Sequence, residues 1–432
     1  MAGLLRVAVI GAGVAGLAAA RELKREGHRV VVYEKSGQLG GIWVFNPEVE
    51  SDPLGLDPNR KLVHSSIYGS LHTNLPRHLM GFSDYPFTVT ENGKLSNFPG
   101  HREVLQFLAE FAAEFEFTAL VRFNTEVIRV ERIGGGSDDQ WAVDSRTQEL
   151  TSEVEVFDAV VVCTGHYTQP KLAELPGIEK WHGKQIHSHN YRDPEPYRNL
   201  VVVVIGNSAS AYDISNDIAT VAKEVHLSSR SNDAKVSRSD GSQNVWHHSK
   251  VDHVKENEVV FEDGGSIYAD IILHCTGFKY AFPFLKTNGI VNIDDNRVGP
   301  LYKHVFPPEL APRLSFIGIP FWVIVFGMME LQAKWVTQVL SGNALLPCKE
   351  EMLADVEAHY KQMEENGIPK HKTHSLINME MEYLDFLARE AGVPPVDGEL
   401  KEIFHNLFKF AYKFGLNAAA KDLWDVSWRP EE

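Results

Sequence analysis

Two glycine-bearing turns carry the residue types that could bind a dinucleotide. The first follows the apolar run Val7–Ile10 and reads Gly11-Ala12-Gly13-Val14-Ala15-Gly16. In this spacing the first glycine permits a tight turn, the second lets a pyrophosphate approach the backbone, and the third allows close packing of helix on strand. The N-terminus of the following helix then offers unpaired N–H groups and a positive dipole end to the anion. The turn therefore predicts a dinucleotide site.

An acidic residue at the end of the next apolar run indicates which nucleotide this first site takes. Glu34 comes 23 residues after Gly11, where a carboxylate can accept hydrogen bonds from ribose hydroxyls. The same carboxylate would repel a 2′-phosphate, so the site should hold an unphosphorylated ribose, as in FAD or NAD. Around the same cofactor we expect small residues for close approach, a ring to close over it and a neighbouring lysine: Gly40, Gly41, Trp43 and Lys35.

The second turn lies 195 residues further on and departs from the pattern. It reads Gly206-Asn207-Ser208-Ala209-Ser210-Ala211, with a serine and an alanine in place of the second and third glycines. The offset that leads to the glutamate in the first unit leads here to Ser229, followed by Arg230. A guanidinium can pair bidentately with a 2′-phosphate. The second turn therefore predicts an NADP site, the alternative being that Arg230 is an ordinary surface arginine.

The elements that must position these turns alternate between strand and helix. Each turn lies between two apolar runs rich in β-branched residues, with a stretch of helical spacing between the runs. Such runs are typical of parallel strands covered on both faces. Two further runs end in the same tripeptide, Cys163-Thr164-Gly165 and Cys275-Thr276-Gly277. We therefore predict an α/β fold with two Rossmann-like dinucleotide-binding domains, and we place Thr164 and Gly165 at the first site.

Composition excludes several other classes of protein. The 432 residues carry 42 basic and 58 acidic side chains, a formal net charge of −16, which offers no electrostatic footprint for nucleic acid. The three cysteines lie far apart, so they form neither a CxxC redox pair nor a zinc cluster nor a disulfide scaffold, and their scarcity predicts a reducing compartment. We predict no metal site.

Two apolar segments bear on membrane association. Leu314–Met329 is 16 residues long and contains a proline, short of the roughly 20 residues that a spanning helix needs, so we expect buried core. The aromatic residues spaced between Phe404 and Phe414 predict a helix packed on its own domain. With no leader pattern at the N-terminus, we expect a cytoplasmic protein without a transmembrane segment.

Longer motifs resemble those of the flavin-containing monooxygenase family, and within it the plant branch that oxygenates sulfur in thioether metabolites such as glucosinolates or S-alkenyl-cysteines. The family's Phe-x-Gly-x-x-x-His-x-x-x-Tyr/Phe fingerprint is matched, with Trp for the first Phe, by Trp181-His182-Gly183-Lys184-Gln185-Ile186-His187-Ser188-His189-Asn190-Tyr191. The second turn is similar to the plant branch's Gly-Asn-x-Ala-Ser-Gly, with Ala211 for the last glycine. Two more similar segments are Leu71-His72-Thr73-Asn74-Leu75-Pro76 and Glu330-Leu331-Gln332-Ala333-Lys334-Trp335. The resemblance covers Val7 to about Gly342.

The resemblance implies a domain organisation and two cofactors. FAD and NADPH would occupy separate domains, with the NADP domain inserted in the FAD domain. The FAD domain would comprise residues 1–168 and 299–432, with C-terminal helices from about 347, and the NADP domain would comprise residues 169–298. In relatives the asparagine matching Asn74 lies beside the flavin ring and the nicotinamide, and the glutamine matching Gln332 lies on the FAD side, which places Thr73, Asn74 and Gln332 at the flavin.

The resemblance also implies the reaction. NADPH reduces FAD, the reduced flavin captures O₂ as a hydroperoxide at its C4a carbon, and a small thioether takes up the distal oxygen. A soft sulfur nucleophile needs no general base, whereas water must be kept out. We therefore expect Asn74 to act, as a hydrogen-bonding partner of the flavin and the nicotinamide, and His187 of the fingerprint to be structural.

Three other functions stay open at this point. The same scaffold could N-oxygenate an amine or carry out a Baeyer–Villiger oxidation of a ketone, and identification of the product would discriminate these from S-oxygenation. A non-catalytic, redox-responsive nucleotide-binding protein is the third alternative, which a yellow preparation that consumes NADPH would exclude. A flavin disulfide reductase is disfavoured because the sequence contains no CxxC pair.

Overall fold

The computed structural model describes residues 3–87, 96–134, 139–147, 152–230, 236–239 and 242–414, with Lys421, Leu423, Trp424 and Trp428; of 412–414 it describes the backbone alone. The helices are α1 (Val14–Arg25), α2 (His101–Glu114), α3 (Ala209–Ala219), α4 (Val325–Leu340), α5 (Lys349–Glu365), α6 (Glu380–Glu390) and α7 (Gly398–Phe414). The strands are β1 (Arg6–Ile10), β2 (Arg29–Tyr33), β3 (Val121–Arg122), β4 (Thr125–Ile133), β5 (Gln140–Thr147), β6 (Ser152–Phe157), β7 (Ala159–Val162), β8 (Gln169–Pro170), β9 (Lys184–His187), β10 (Val201–Ile205), β11 (Glu224–Ser228), β12 (Ser237–Arg238), β13 (Val245–His248), β14 (Val251–Val254), β15 (Glu258–Phe261), β16 (Ser266–Tyr268), β17 (Ile271–His274), β18 (Phe278–Lys279), β19 (Leu285–Lys286), β20 (Asn292–Asp294), β21 (Arg297–Gly299) and β22 (Leu314–Phe316).

The first sheet contains the first glycine turn. Its strand order is β22-β7-β1-β2-β3, and every pairing in it is parallel. α1 connects β1 to β2 and packs against α4. Side chains alternate between the two faces of β1, so Val7 and Val9 join one buried cluster while Ala8 and Ile10 join another. Because both faces are covered, the strand requires a continuous apolar run.

The second sheet repeats this plan around the second turn. Its strand order is β12-β13-β11-β10-β17-β9, parallel except for the edge strand β12. α3 connects β10 to β11, and β17 lies beside β10 as β7 lies beside β1. Val202 and Val204 join one buried cluster and Val203 the other. The predicted α/β fold with two Rossmann-like units is confirmed.

A smaller, four-stranded sheet contains three consecutive strands and one strand from much later in the chain. β4, β5 and β6 pair antiparallel, and β19 adds to the free edge of β4. Tyr280 and Phe284 are buried in the same cluster as Ile10 of the first sheet. By these contacts, residues between 280 and 286 already pack against the first unit. The domain boundary between 298 and 299 stays a prediction.

The C-terminal part of the chain is helical, with α5 beginning at Lys349. The apolar segment Leu314–Met329 forms the buried strand β22 and, further on, the beginning of α4, in agreement with the core position predicted for it. α7 buries Phe404, Leu407 and Phe410 in the main core, which confirms a helix packed on its own domain. No helix in the described part of the chain combines the length and apolar character needed to cross a bilayer.

Candidate active site

The first glycine turn is packed so closely that two of its glycines are required by the protein itself. Gly11 has φ +105°, a conformation that L side chains rarely adopt, and a Cβ there would lie 2.7 Å from the Cys163 carbonyl oxygen. A Cβ on Gly16 would lie 1.8 Å from the Gly11 carbonyl oxygen. Both glycines are therefore needed to pack α1 against β1 and β7, whether or not a cofactor binds.

Gly13, by contrast, is not required by the protein's own packing. Its φ of −79° suits any residue, and the nearest neighbour of a Cβ would be the Gly41 Cα at an ordinary 3.5 Å. Gly40 donates its backbone N–H to the Ala12 carbonyl oxygen at 2.9 Å. This hydrogen bond holds Gly40 and Gly41 against the turn. Within the described part of the chain, no side-chain hydrogen bond caps the N-terminus of α1, which leaves room for an anion at the position that the sequence predicts.

The other residues predicted at the first site differ in burial. Ala12, Val14 and Ala15 are buried. Trp43 ends the short 3-10 helix Gly41–Trp43 and is half-buried against the main core. Lys35 is exposed at the end of β2.

Glu34 lies at the end of β2, alongside the turn. It is 7% exposed, and its Oε2 accepts a hydrogen bond from the Ala12 N–H at 2.9 Å. Its Oε1 accepts from the N–H and the hydroxyl of Ser36, both at 2.8 Å. A carboxylate has about four lone-pair sites, so these three bonds leave capacity for a further donor such as a ribose hydroxyl.

Thr164 and Gly165 follow β7 and face the same turn. The Thr164 hydroxyl is buried and makes no hydrogen bond within the described protein. Gly165 has φ +68° and open space where a Cβ would lie. A buried hydroxyl without a protein partner calls for a bound group to pair with it, so the residues of this cleft fit the predicted flavin nucleotide.

The second turn reproduces the first in its backbone. Gly206 has φ +137°, and a Cβ there would lie 2.4 Å from the Cys275 carbonyl oxygen, as Gly11 is placed against Cys163. Its N–H donates to the Ser228 carbonyl oxygen at 3.1 Å, the counterpart of the bond from Gly11 to Tyr33. The predicted correspondence between the two turns is therefore seen in their geometry.

Side chains distinguish the second turn from the first. Ser208 precedes α3 without capping it through its side chain. Ala211 is fully buried and contributes its methyl to the apolar cluster of the second sheet, so this turn does not require a third glycine. The exposed residues of this turn are Asn207, Ser208, Ala209 and Ser210.

Ser229 and Arg230 follow β11, as Glu34 follows β2. The Ser229 N–H donates to the His248 carbonyl oxygen at 3.2 Å, and Arg230 is exposed. Residues 231–235 lie outside the described part of the chain. The exposed guanidinium is accessible to a phosphate group.

Asn74 lies in the segment that connects Gly41–Trp43 to α2. The neighbouring Thr73 is buried, with its N–H donating to the Pro99 carbonyl oxygen at 3.0 Å and its hydroxyl donating to the Leu75 carbonyl oxygen at 2.7 Å. Asn74 is half-buried, and its Oδ1 accepts a hydrogen bond from Lys421 Nζ at 2.9 Å. No sequence motif predicted Lys421.

The fingerprint region is structural. His187 is fully buried; its Nδ1 accepts from the His189 N–H at 3.1 Å, so its Nε2–H donates to the Gly277 carbonyl oxygen at 2.9 Å. Burial lowers the pKa of His187 to about 3, which keeps the ring neutral. Tyr191 donates its hydroxyl to Asp217 on α3 at 2.6 Å. These contacts agree with the structural role expected for His187.

Arg192, which follows the fingerprint, fixes the segment that leads to Asn74. All five N–H donors of its guanidinium reach backbone carbonyl oxygens, those of Asn46, Glu48, Ser65, His189 and Tyr191, at 2.7 to 3.1 Å. Three of these carbonyls belong to the irregular segment after Trp43. Sequence reasoning missed Arg192, since only its place beside the fingerprint could have drawn attention to it.

Gln332 on α4 is fully buried, and both ends of its amide are engaged within the protein. Its Oε1 accepts from the Gly318 N–H at 2.9 Å, and its Nε2 donates to the Tyr383 hydroxyl at 2.8 Å. A Cβ on Gly318 would lie 3.7 Å from Ala15 in the first turn. Gln332 is therefore linked to the first turn through the backbone of Gly318. A direct contact between Gln332 and FAD stays a prediction.

The flavin-binding monooxygenase-like family model matches residues 5–247 and 242–413. The chain belongs to this family. The predicted class of enzyme, a flavin-containing monooxygenase, is thereby confirmed. Among the described residues, no three His, Cys, Asp or Glu side chains are grouped so as to hold a metal ion.

Individual relatives extend over nearly the whole chain. Flavin-containing monooxygenase FMO GS-OX5 of Arabidopsis thaliana is 51% identical over 428 residues, which cover 98% of this chain and 92% of the relative. The structure of S-allyl-L-cysteine S-oxygenase from Allium sativum is 50% identical, with a TM-score of 0.95 and coverage of 98% of this chain and 96% of that one. The Tmm structure from a Pelagibacter strain is 27% identical with a TM-score of 0.79, covering 94% and 90%.

Proposed function

We propose that this enzyme uses NADPH and O₂ to oxygenate the sulfur of a small thioether. The observation that carries the proposal is the pair of matching glycine turns, of which the first has an acidic residue at the ribose position and the second a basic one. Support for the choice of sulfur comes from the S-allyl-L-cysteine S-oxygenase, half of whose residues are shared along almost the full length.

The residues present fit the two cofactors. Open backbone at Gly13, the spare acceptor capacity of Glu34 and the unpaired Thr164 hydroxyl favour FAD at the first turn. We assign to FAD Gly11, Ala12, Gly13, Val14, Ala15, Gly16, Glu34, Lys35, Gly40, Gly41, Trp43, Thr73, Asn74, Thr164 and Gly165, with Gln332 acting through Gly318. We assign to NADPH Gly206, Asn207, Ser208, Ala209, Ser210, Ala211, Ser229 and Arg230.

The chemistry of oxygen activation is supplied by the flavin when it is bound. This chain's own residues bind, orient and exclude water. Asn74 provides a hydrogen-bonding amide beside the cofactors, and Arg192 holds the segment that carries it. His187 is neutral and satisfied, so it has no proton to exchange with substrate. A thioether sulfur reacts without deprotonation, so the proposed reaction needs no general base.

Product identification tests the proposal. The purified protein should be yellow with FAD, prefer NADPH to NADH, and convert a thioether such as thioanisole or S-allyl-L-cysteine to its sulfoxide. Trimethylamine and cyclohexanone serve as the amine and ketone comparisons. Formation of an amine oxide or a lactone without sulfoxide would overturn S-oxygenation, and a colourless protein unable to retain FAD would overturn the whole assignment.

The role of Asn74 is tested by its alanine variant. Asn74→Ala should release more hydrogen peroxide and form less sulfoxide per NADPH consumed, because the cofactors lose a hydrogen-bonding partner. Asn257→Ala, an exposed asparagine in the β14–β16 hairpins, is the matched control and should behave as the unmodified enzyme does. Unchanged coupling in Asn74→Ala would remove Asn74 from the mechanism.

A further inference from the structure

Lys421 lies beside Asn74, although the two residues are 347 positions apart in the chain. Its Nζ atom is 2.9 Å from Asn74 Oδ1 and 3.4 Å from the His72 carbonyl oxygen. The side chain is 8% exposed, and its Nζ lies 5.9 Å from the centre of the Phe98 ring. No step of the proposed function uses this buried ammonium group.

The surroundings of the ammonium show what it acts on. An ammonium has three N–H donors and no acceptor. Three acceptors surround it: Asn74 Oδ1, the His72 carbonyl oxygen and, at 3.9 Å, the Asp213 carboxylate. Two of its donors are thus hydrogen-bonded inside the protein, and its charge is paired there with the Asp213 carboxylate.

The contact decides which end of the Asn74 amide faces away from Lys421. The oxygen and NH₂ ends of a carboxamide have nearly the same shape, and their hydrogen-bond partners determine which way the group points. The Lys421 ammonium can only donate hydrogen bonds, so it binds the carbonyl oxygen of the Asn74 amide and repels the NH₂ group. The two N–H donors of Asn74 are therefore directed to the opposite side.

Lys421 also connects the two cofactor units. Asp213 lies in the first turns of α3, the helix that follows the second glycine turn, and its carboxylate receives the Tyr68 hydroxyl at 3.5 Å. Burial lowers the pKa of Lys421 while Asp213 opposes the shift, and burial raises the pKa of Asp213 while Lys421 opposes it. The ammonium and the carboxylate stabilise each other's charge between the units.

We infer that Lys421 is a positioning residue that orients the Asn74 amide so that N–H donors, rather than the carbonyl oxygen, are presented to the bound cofactors. The inference rests on the role proposed above for Asn74. Lys421 acts through Asn74 and does not itself touch the reacting atoms.

The test compares three lysine variants with Asn74→Ala. Lys421→Met removes the donors and keeps the length of the side chain, Lys421→Arg keeps a charged donor, and Lys409→Met alters an exposed lysine on α7 as the control. The readouts are hydrogen peroxide released per NADPH and, independently of turnover, the dissociation constant of NADP⁺ by calorimetry. FAD content and melting temperature show that each variant is folded.

Loss of one charge-assisted hydrogen bond predicts a change of about tenfold. Lys421→Met should therefore weaken NADP⁺ binding by about tenfold and raise peroxide release, while Lys421→Arg and Lys409→Met should resemble the unmodified enzyme. In the Asn74→Ala background, Lys421→Met should add nothing further, because its effect is exerted through the missing amide. If Lys421→Met does not fold, Lys421→Gln takes its place in the same comparison, because it removes the charge and offers an acceptor to which the NH₂ end of Asn74 can turn.

Other outcomes would show whether the role of Lys421 or the role of Asn74 is wrong. Normal behaviour of Lys421→Met beside an impaired Asn74→Ala enzyme would overturn the role of Lys421 alone, as would fully additive effects in the double variant. A higher KM for S-allyl-L-cysteine but not for neutral thioanisole, with coupling unchanged, would make Lys421 a substrate-carboxylate contact and overturn the inference. An unimpaired Asn74→Ala enzyme would refute the role of Asn74, and the inference with it.

Discussion

A single added methyl group should lower FAD affinity at Gly13 but the stability of the fold at Gly16. At Gly13 a Cβ meets the Gly41 Cα at 3.5 Å and the backbone is unstrained, so Gly13→Ala should fold normally. The methyl would project where the turn is open to the pyrophosphate. Intrusion of a methyl into a packed contact costs about 1–3 kcal/mol, which corresponds to a loss of FAD affinity of about 5- to 150-fold.

At Gly16 the result should be different, because the obstacle is the protein's own backbone. A Cβ there lies 1.8 Å from the Gly11 carbonyl oxygen, whereas real Cβ contacts stay beyond 3.0 Å. The start of α1 would have to move away from β1, at a cost of about 3 kcal/mol or more. Gly16→Ala should therefore lower the melting temperature and the yield of folded protein before any effect on FAD is measured.

The assay titrates FAD into deflavinated protein by fluorescence quenching and follows unfolding by circular dichroism. Ala211→Gly, at the corresponding position of the second turn, is the control and should leave FAD affinity unchanged. The reasoning is refuted if Gly13→Ala binds FAD as tightly as the unmodified protein, or if Gly13→Ala and Gly16→Ala lose stability equally.

Three further predictions follow from side-chain contacts. Arg230→Ala should raise the KM for NADPH by about tenfold with FAD content unchanged, because a charge-assisted partner of the 2′-phosphate is lost. Arg192→Lys should reduce the free energy of unfolding by about 3 kcal/mol, since an ammonium cannot reach the five carbonyl oxygens that the guanidinium binds, and steady-state assays should show poorer coupling. Burial opposes ionisation of Glu155, but hydrogen bonds from Arg122, Tyr33 and Arg6 outweigh it and lower the pKa of Glu155 from 4.5 to about 2. This stabilisation is complete above pH 4.5 and is lost as the pH falls through 2, so Glu155→Gln should flatten acid unfolding curves over that range.

Each of these predictions has a contrary result. Equal use of NADH and NADPH by the unmodified enzyme would contradict the assignment of Arg230. An Arg192→Lys enzyme with unaltered stability would show that the carbonyl contacts contribute little. Parallel acid unfolding of Glu155→Gln and the unmodified protein would show that Glu155 gains nothing from its partners on folding.

The two glycine turns could be predicted from the sequence because their determinants are local. Gly11 and Gly206 each follow a β-branched run at the same spacing from the strand, and both adopt positive φ against a Cys-Thr-Gly carbonyl. The glycine spacing, the apolar runs and the helical stretch of each unit are all found within about 30 consecutive residues. The confirmed α/β fold follows from those units, whereas the order of the strands in each sheet was not predicted.

The residues that sequence reasoning missed act over long distances in the chain. Lys421 donates a hydrogen bond to Asn74, which lies 347 positions earlier in the chain. Arg192 donates hydrogen bonds to carbonyl oxygens of residues between 46 and 65. Neither residue belongs to a periodic pattern. Tertiary packing alone brings each cation to its partners, so the neighbouring sequence does not predict these contacts. The pairing of β19 with β4 was likewise not predicted, since β19 is two residues long and carries no periodic pattern.

The most direct test of the account is isotopic. Enzyme, NADPH and thioanisole are incubated under ¹⁸O₂, and the product is analysed by mass spectrometry together with the amount of NADPH consumed. The account predicts a sulfoxide that carries one ¹⁸O atom, formed in proportion to NADPH oxidation. Sulfoxide without ¹⁸O, or NADPH oxidation that yields only hydrogen peroxide with every thioether tried, would contradict it.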